Sequence, residues 1–101
     1  MPPMRFELLF TKQADEEYQA LEKEPSKKAV LKAVRKTLGL LETNLRHPSL
    51  HTYEFTTLKG PRGEKVFEAY AQNNTPGAYR VFWYYGPNKQ QISIASIVPH
   101  P

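Results

Sequence analysis

Arg80 sits inside the densest aromatic run of the chain, Ala78-Tyr79-Arg80-Val81-Phe82-Trp83-Tyr84-Tyr85. A guanidinium keeps its charge and can hold two phosphate or carboxylate oxygens at once. Earlier in the chain stands Glu68, a carboxylate able to serve as a base or as an ion-pair partner. Near the end His100 supplies an imidazole, the side chain that titrates closest to neutrality. Lys59, Arg62 and Lys65 surround a Gly-Pro loop and can meet phosphates, while Phe82 and Tyr84 offer flat faces on which bases stack. Each has a plainer reading. Arg80 and Glu68 can simply pair with each other, with Arg80 favouring the ionised carboxylate. His100 can be a solvated tail residue and the basic loop a solvated loop. Phe82 and Tyr84 can fill a second small core or lie under a partner's segment.

The elements that must position these groups follow from turn chemistry and alternation. Asn73-Asn74-Thr75-Pro76-Gly77 precedes the aromatic run and Gly86-Pro87-Asn88-Lys89 follows it, so the run is the middle strand of a meander. Pairing Gln72 with Ala78 sets Tyr70 opposite Arg80, Glu68 opposite Phe82 and Val66 opposite Tyr84. Pairing Tyr85 with Gln90 sets Trp83 opposite Ile92, Val81 opposite Ile94 and Arg80 opposite Ala95. Paired residues share a face. One face then gathers Phe67, Ala69, Ala71, Tyr79, Val81, Trp83, Ile92 and Ile94, which is a core. The other gathers Glu68, Tyr70, Arg80, Phe82, Tyr84, Gln91, Ser93 and Ala95, and is expected to be open.

Upstream, Met4 to Phe10 alternates apolar and charged residues and reads as a first strand. Thr11 is placed to cap a helix whose first turns carry Asp15, Glu16 and Glu17, with Ala14, Tyr18 and Leu21 as its apolar stripe. Pro25 ends that helix and starts the next, where Val30, Val34, Leu38, Leu41 and Leu45 recur at helical spacing. The other side of that helix carries Lys27, Lys28, Lys32, Arg35 and Lys36, a row that reads first as a solvated face and second as a contact for RNA. Strands over Tyr53–Leu58 and Lys65–Gln72 lead into the meander, and the closing prolines should stop pairing near Ile97. The sum is one α+β domain over residues 1–101. An N-terminal strand and a helical hairpin precede an antiparallel meander, with the helices on one sheet face.

A chain of 101 residues can bury a core without staples, and it has no cysteine, which fits a reducing, cytoplasmic setting. Its net charge of +4 favours an acidic or polyanionic partner. The apolar patch Phe6-Glu7-Leu8-Leu9-Phe10 carries a charge and no cleavage signature, so neither a signal peptide nor a membrane span is expected. His47 and His51 lack a third ligand at useful spacing, and no Gly-rich phosphate loop or nucleophilic triad occurs. No metal or cofactor is expected.

The order Leu45-Arg46-His47-Pro48, Leu58-Lys59-Gly60, Val66-Phe67-Glu68-Ala69-Tyr70, Tyr79-Arg80-Val81-Phe82-Trp83 and Ile92-Ser93-Ile94 resembles the RelE/ParE superfamily of bacterial toxins, from about Phe6 to His100. The resemblance implies a small cytoplasmic toxin held inactive by a cognate antitoxin, small and acidic. In the RelE-like branch such a toxin enters the ribosome and cuts mRNA without a metal; in the ParE-like branch it poisons DNA gyrase and cuts no RNA. Arg80 matches the family's arginine on this strand. His100 matches the penultimate histidine of some ribosome-dependent members, but the tyrosine expected beside it is absent. Catalytic candidates are therefore Arg80, His100 and Glu68, and RNA-binding candidates are Lys59, Arg62, Lys65, Phe82 and Tyr84. The alternative is a non-catalytic gyrase-binding or inactive relative.

Overall fold

The computed structural model describes residues 5–100. Met4, where the sequence starts its first strand, and Pro101 lie outside them. The elements are β1 (Glu7–Phe10), α1 (Lys12–Lys23), α2 (Lys28–Thr43), β2 (Tyr53–Lys59), β3 (Lys65–Tyr70), β4 (Tyr79–Tyr85) and β5 (Gln91–Pro99). Short 3-10 turns at Pro25–Lys27 and Pro48–Leu50 lead into α2 and β2. Thr11 caps α1, its hydroxyl accepting from the Ala14 amide at 3.1 Å and donating to the Ala95 carbonyl at 3.0 Å. Pro25 breaks the hairpin as expected, its missing N–H falling where a helical turn has no donor to lose.

The five strands form one sheet in the order β1-β5-β4-β3-β2, with β1 parallel to β5 and the other pairs antiparallel. The helical hairpin covers one face. Val34, Leu38 and Leu41 of α2 and Ala14 and Leu21 of α1 meet Ala69, Val81, Trp83, Ile92, Ile94 and Ile97 there, with Phe67, Ala71 and Tyr79 at the margin. The core read from alternation is thus the observed one.

The β3–β4 register is also the expected one, Tyr70 opposite Arg80 and Glu68 opposite Phe82. The β4–β5 register is not. Trp83 faces Ile94 rather than Ile92, because the connection closes two residues later, with the Gly86 amide on the Gln91 carbonyl at 2.8 Å and Tyr85 opposite Ile92. A shift of two leaves every side chain on its own face. A bulge then intervenes: Trp83 pairs with Ile94 but Phe82 with Ser96, leaving Ala95 unpaired. Beyond it Arg80 lies opposite Val98, not Ala95, and Val81 opposite Ile97, not Ile94. The bulge lets Ile97 join Ile92 and Ile94 in the core.

Pairing also runs past Ile97, to Tyr79 opposite Pro99. The reason is alternation of hydrogen-bonded pairs. The His100 amide bonds the Ala78 carbonyl at 2.7 Å, so Pro99 falls at a position whose donor would point away from β4. On that outer side β1 has already ended, and Glu17 covers the free edge, its Oε1 accepting from the Ile97 amide at 2.8 Å.

Candidate active site on the second sheet face

The face turned away from the helices is closed over much of its area. Phe82 is 3% exposed and Tyr84 8%, packed with Val66 and covered by Phe55, Ala95 and Val98. Phe55 of β2 meets Phe82 edge to face at 5.0 Å between ring centroids. The reading of this face as open is therefore corrected. Phe82 and Tyr84 fill a second small core, because the Phe55 ring reaches across from β2 and Ala95 and Val98 pack in from β5. They do not present stacking platforms.

At one end of this face four side chains converge. Glu68 is fully buried, and its Oε1 accepts a hydrogen bond from the Tyr53 hydroxyl and lies 3.7 Å from Arg80 Nε. Its Oε2 lies 3.4 Å from His100 Nδ1. Arg80 is itself only 6% exposed. Its guanidinium lies over the Tyr70 ring, 3.6 Å from the centroid, and donates to the Gln72 carbonyl at 2.6 Å. Burying a carboxylate is tolerated only beside such a cation and such donors. The Tyr70 ring in turn touches His51, centroids 4.8 Å apart.

Strand order explains the gathering. β3 lies between β2 and β4, so Tyr53 on one neighbour and Arg80 on the other both reach Glu68. The tail of β5 brings His100 alongside Ala78, and its imidazole reaches over to the same carboxylate. The His100 side chain keeps 42% of its surface exposed, so one edge of the ring faces Glu68 while the ring as a whole remains open to solvent.

Of the candidates read from the sequence, Arg80, Glu68 and His100 come together. Lys59, Arg62 and Lys65 do not join them. Lys65 stands three residues before Glu68 on β3, about 10 Å along a strand rising about 3.4 Å per residue, and on the opposite sheet face. Lys59 also pairs with Glu54 at 3.8 Å. Tyr53 was missed, since only the β2–β3 pairing reveals it and that pairing is irregular between Glu54 and Lys59. Among the described residues, no group of three or more potential His, Cys, Asp or Glu ligands could hold a metal, and no helix is long and apolar enough to cross a membrane.

The Tyr53 hydroxyl is pushed up to about 12, first by its hydrogen bond to Glu68, then by burial and by the carboxylate's charge. The neutral phenol is thus favoured by folding. Its contribution to stability is complete below pH ~10, where the unfolded tyrosine is still protonated, and is lost as pH rises through about 12. Denaturation of wild type and Tyr53→Phe across that range should show a stability gap that closes toward pH 12. A gap constant with pH would mean that the phenol does not bond the carboxylate.

Three solved structures share this architecture across nearly their whole length. A YoeB dimer from Staphylococcus aureus is 20% identical, covering 96% of this chain and 99% of that one at a TM-score of 0.62. An archaeal RelE–RelB complex from Pyrococcus horikoshii OT3 is 20% identical, with 95% and 96% covered and a TM-score of 0.63. The chain has the RelE/ParE toxin fold. A YoeB/ParE toxin from Agrobacterium tumefaciens superposes equally well, TM-score 0.63 over 95% of this chain and 100% of the other, at 11% identity. No protein-family model and no curated protein sequence matches. Identities this low carry the RelE/ParE fold and not the activity, which must be argued from the site.

Proposed function

We propose that the chain is the toxin of a toxin–antitoxin pair and a ribosome-dependent, metal-independent mRNA endonuclease, acting in the cytoplasm. The observation that carries this reading is the proximity of Glu68 and His100, with Arg80 and Tyr53 around them, on a RelE/ParE fold. Cutting RNA in this way has the ribose 2′-oxygen attack phosphorus and the 5′-oxygen leave, so a proton is taken at one oxygen and given at the other. His100 is the imidazole here that stands beside the carboxylate while staying open to solvent. Its Nδ1 edge faces Glu68 Oε2 at 3.4 Å without a hydrogen bond between them, which leaves the opposite nitrogen turned to the reacting oxygens. Arg80 donates to Gln72 and faces Glu68, so it helps through fixed positive charge near the developing phosphorane rather than through a free bidentate grip.

The antitoxin has a surface that suits it. An apolar groove of about 380 Å³ runs between Phe55 and Leu58 of β2 and Val98 and Pro99 of β5, beside the cationic Lys59 loop. A small acidic partner with apolar anchors fits that combination.

Expression without the partner should arrest growth and create new 5′ ends in translated messages. His100→Ala should lower the cleavage rate about 100-fold or more, the usual worth of a positioned acid or base. Wild-type cleavage by that variant would sink the catalytic assignment. The burial of Arg80 favours a second reading, in which the arginine is purely architectural and the chain binds gyrase without cutting RNA. Growth arrest with intact messages and failed supercoiling would select it.

The basic loop is tested apart from the chemistry. Replacing Lys59, Arg62 and Lys65 by Ala should flatten the salt dependence of ribosome binding, by up to about 0.7–0.9 in log–log slope for each phosphate no longer neutralised. An unchanged slope removes the loop from that interface.

A further inference from the structure

The outer face of α2 is unlike the rest of the surface. Lys28, Lys32, Arg35 and Lys36 are all exposed there, and Glu42, at the far end, is the helix's one acidic residue. At 100° per residue they fall in one stripe, and Gly39 falls in the same stripe. Among the described residues Lys28, Lys32 and Lys36 make no ion pair, while Arg35 is held in place by the Tyr18 hydroxyl at 2.9 Å and Glu22 at 3.3 Å.

Gly39 points the same way independently. It lies in the interior of a helix, on an exposed face, and a Cβ built on it would meet nothing within 4 Å. Its backbone is ordinary helix, so neither packing nor a special dihedral calls for glycine, which weakens helices relative to alanine. What a bare position on an exposed helix does provide is close approach of another molecule's backbone.

We infer that this stripe binds the sugar–phosphate backbone of a nucleic acid, with the lysines on phosphates and Gly39 admitting the strand against the helix. Lys28, Lys32 and Lys36 rise about 6 Å apart along the axis, the order of the separation of successive phosphates on one strand. The stripe lacks the exposed aromatic or large aliphatic anchor that a protein partner would need, whereas backbone binding needs only cations and access. Its position also matters: α2 covers the face of the sheet opposite the Glu68–His100 site. A folded nucleic acid can be held behind while the site in front stays free. The choice of RNA rests on the endonuclease reading; the phosphate chemistry does not.

The test is fluorescence anisotropy of a labelled RNA hairpin with the full chain between 50 and 200 mM KCl, with the same hairpin in DNA as a second probe. Neither measurement requires cleavage, so failure of the endonuclease reading would leave it intact. Lys28→Gln/Lys32→Gln/Lys36→Gln should lower the magnitude of the log–log salt slope by about 2–3, at about 0.7–0.9 per phosphate released. A control losing equal charge elsewhere, Lys12→Gln/Lys23→Gln/Lys89→Gln, should keep the wild-type slope. Gly39→Ala should keep or raise the melting temperature and yet weaken binding. The proposal is overturned if the α2 variant keeps the wild-type slope, if the control loses as much, or if Gly39→Ala binds as tightly as wild type.

Discussion

Arg80→Ala should destabilise the fold by about 3–5 kcal/mol, the cost of stripping the partner from a buried charge. The cause lies in Glu68, which has no exposure at all and whose cation is this guanidinium at 3.7 Å. Had the second sheet face been open, the same change would leave folding nearly intact and report on chemistry alone. Activity of the variant therefore has to be measured where it is still folded. Two further variants separate the causes. Arg80→Lys keeps a charge but loses the planar stack on Tyr70 and should recover only part of the loss. The double change Arg80→Leu/Glu68→Leu removes both charges and should recover most of it, since buried pairs replaced by apolar groups are often neutral or better. Denaturant midpoints at constant m-value would read all three. A loss below about 1 kcal/mol for Arg80→Ala, the range of exposed pairs, would mean that the guanidinium is free in solution and able to grip phosphate directly.

Trp83→Ala should cost a similar ~3–5 kcal/mol for a different reason, the cavity left at the centre of the helix-covered core. The indole is 2% exposed and stacks on Phe67 at 4.9 Å between centroids. Its Nε1 is buried with no hydrogen-bond partner, so part of the native residue is destabilising. Trp83→Phe removes that unpaired donor with a smaller cavity and should cost far less than alanine. Tyr84→Ala, in the smaller second cluster, should cost about 1.5–3 kcal/mol, the transfer value of one large buried side chain. A larger loss at Tyr84 than at Trp83 would show that the second cluster, and not the helix-covered core, dominates stability.

Much of this fold is legible in the sequence because its signals are local. Thr11 and Pro25 mark helix ends by their own chemistry, and the turn residues between Gln72 and Ala78 fix the β3–β4 register. The helix-covered core follows from alternation alone. What alternation does not show is what lies over the other face, since that depends on where β2 lands after an irregular stretch; hence Phe82, Tyr84 and Tyr53 were misread or missed. The Glu68–Arg80 pair was visible as a neighbouring-strand contact. His100 is far from both in sequence, and nothing local near it announces its approach to Glu68.

That approach depends on the unpaired Ala95. In a regular strand Ile92, Ile94, Ser96, Val98 and His100 would all point the same way, into the helices. The one supernumerary residue inverts the parity of everything after it, so that His100 arrives on the side where Glu68 waits. The chain between Ile94 and His100 is therefore a counting device. Removing or adding a single residue beyond the bulge swaps which side chain meets the carboxylate, whereas a change of two preserves the side and moves only the reach. Deleting Ala95 itself would join Ile94 to Ser96, erase the bulge and keep the imidazole on the Glu68 side, whereas deleting one residue between Ser96 and His100 would turn it toward the hydrophobic layer.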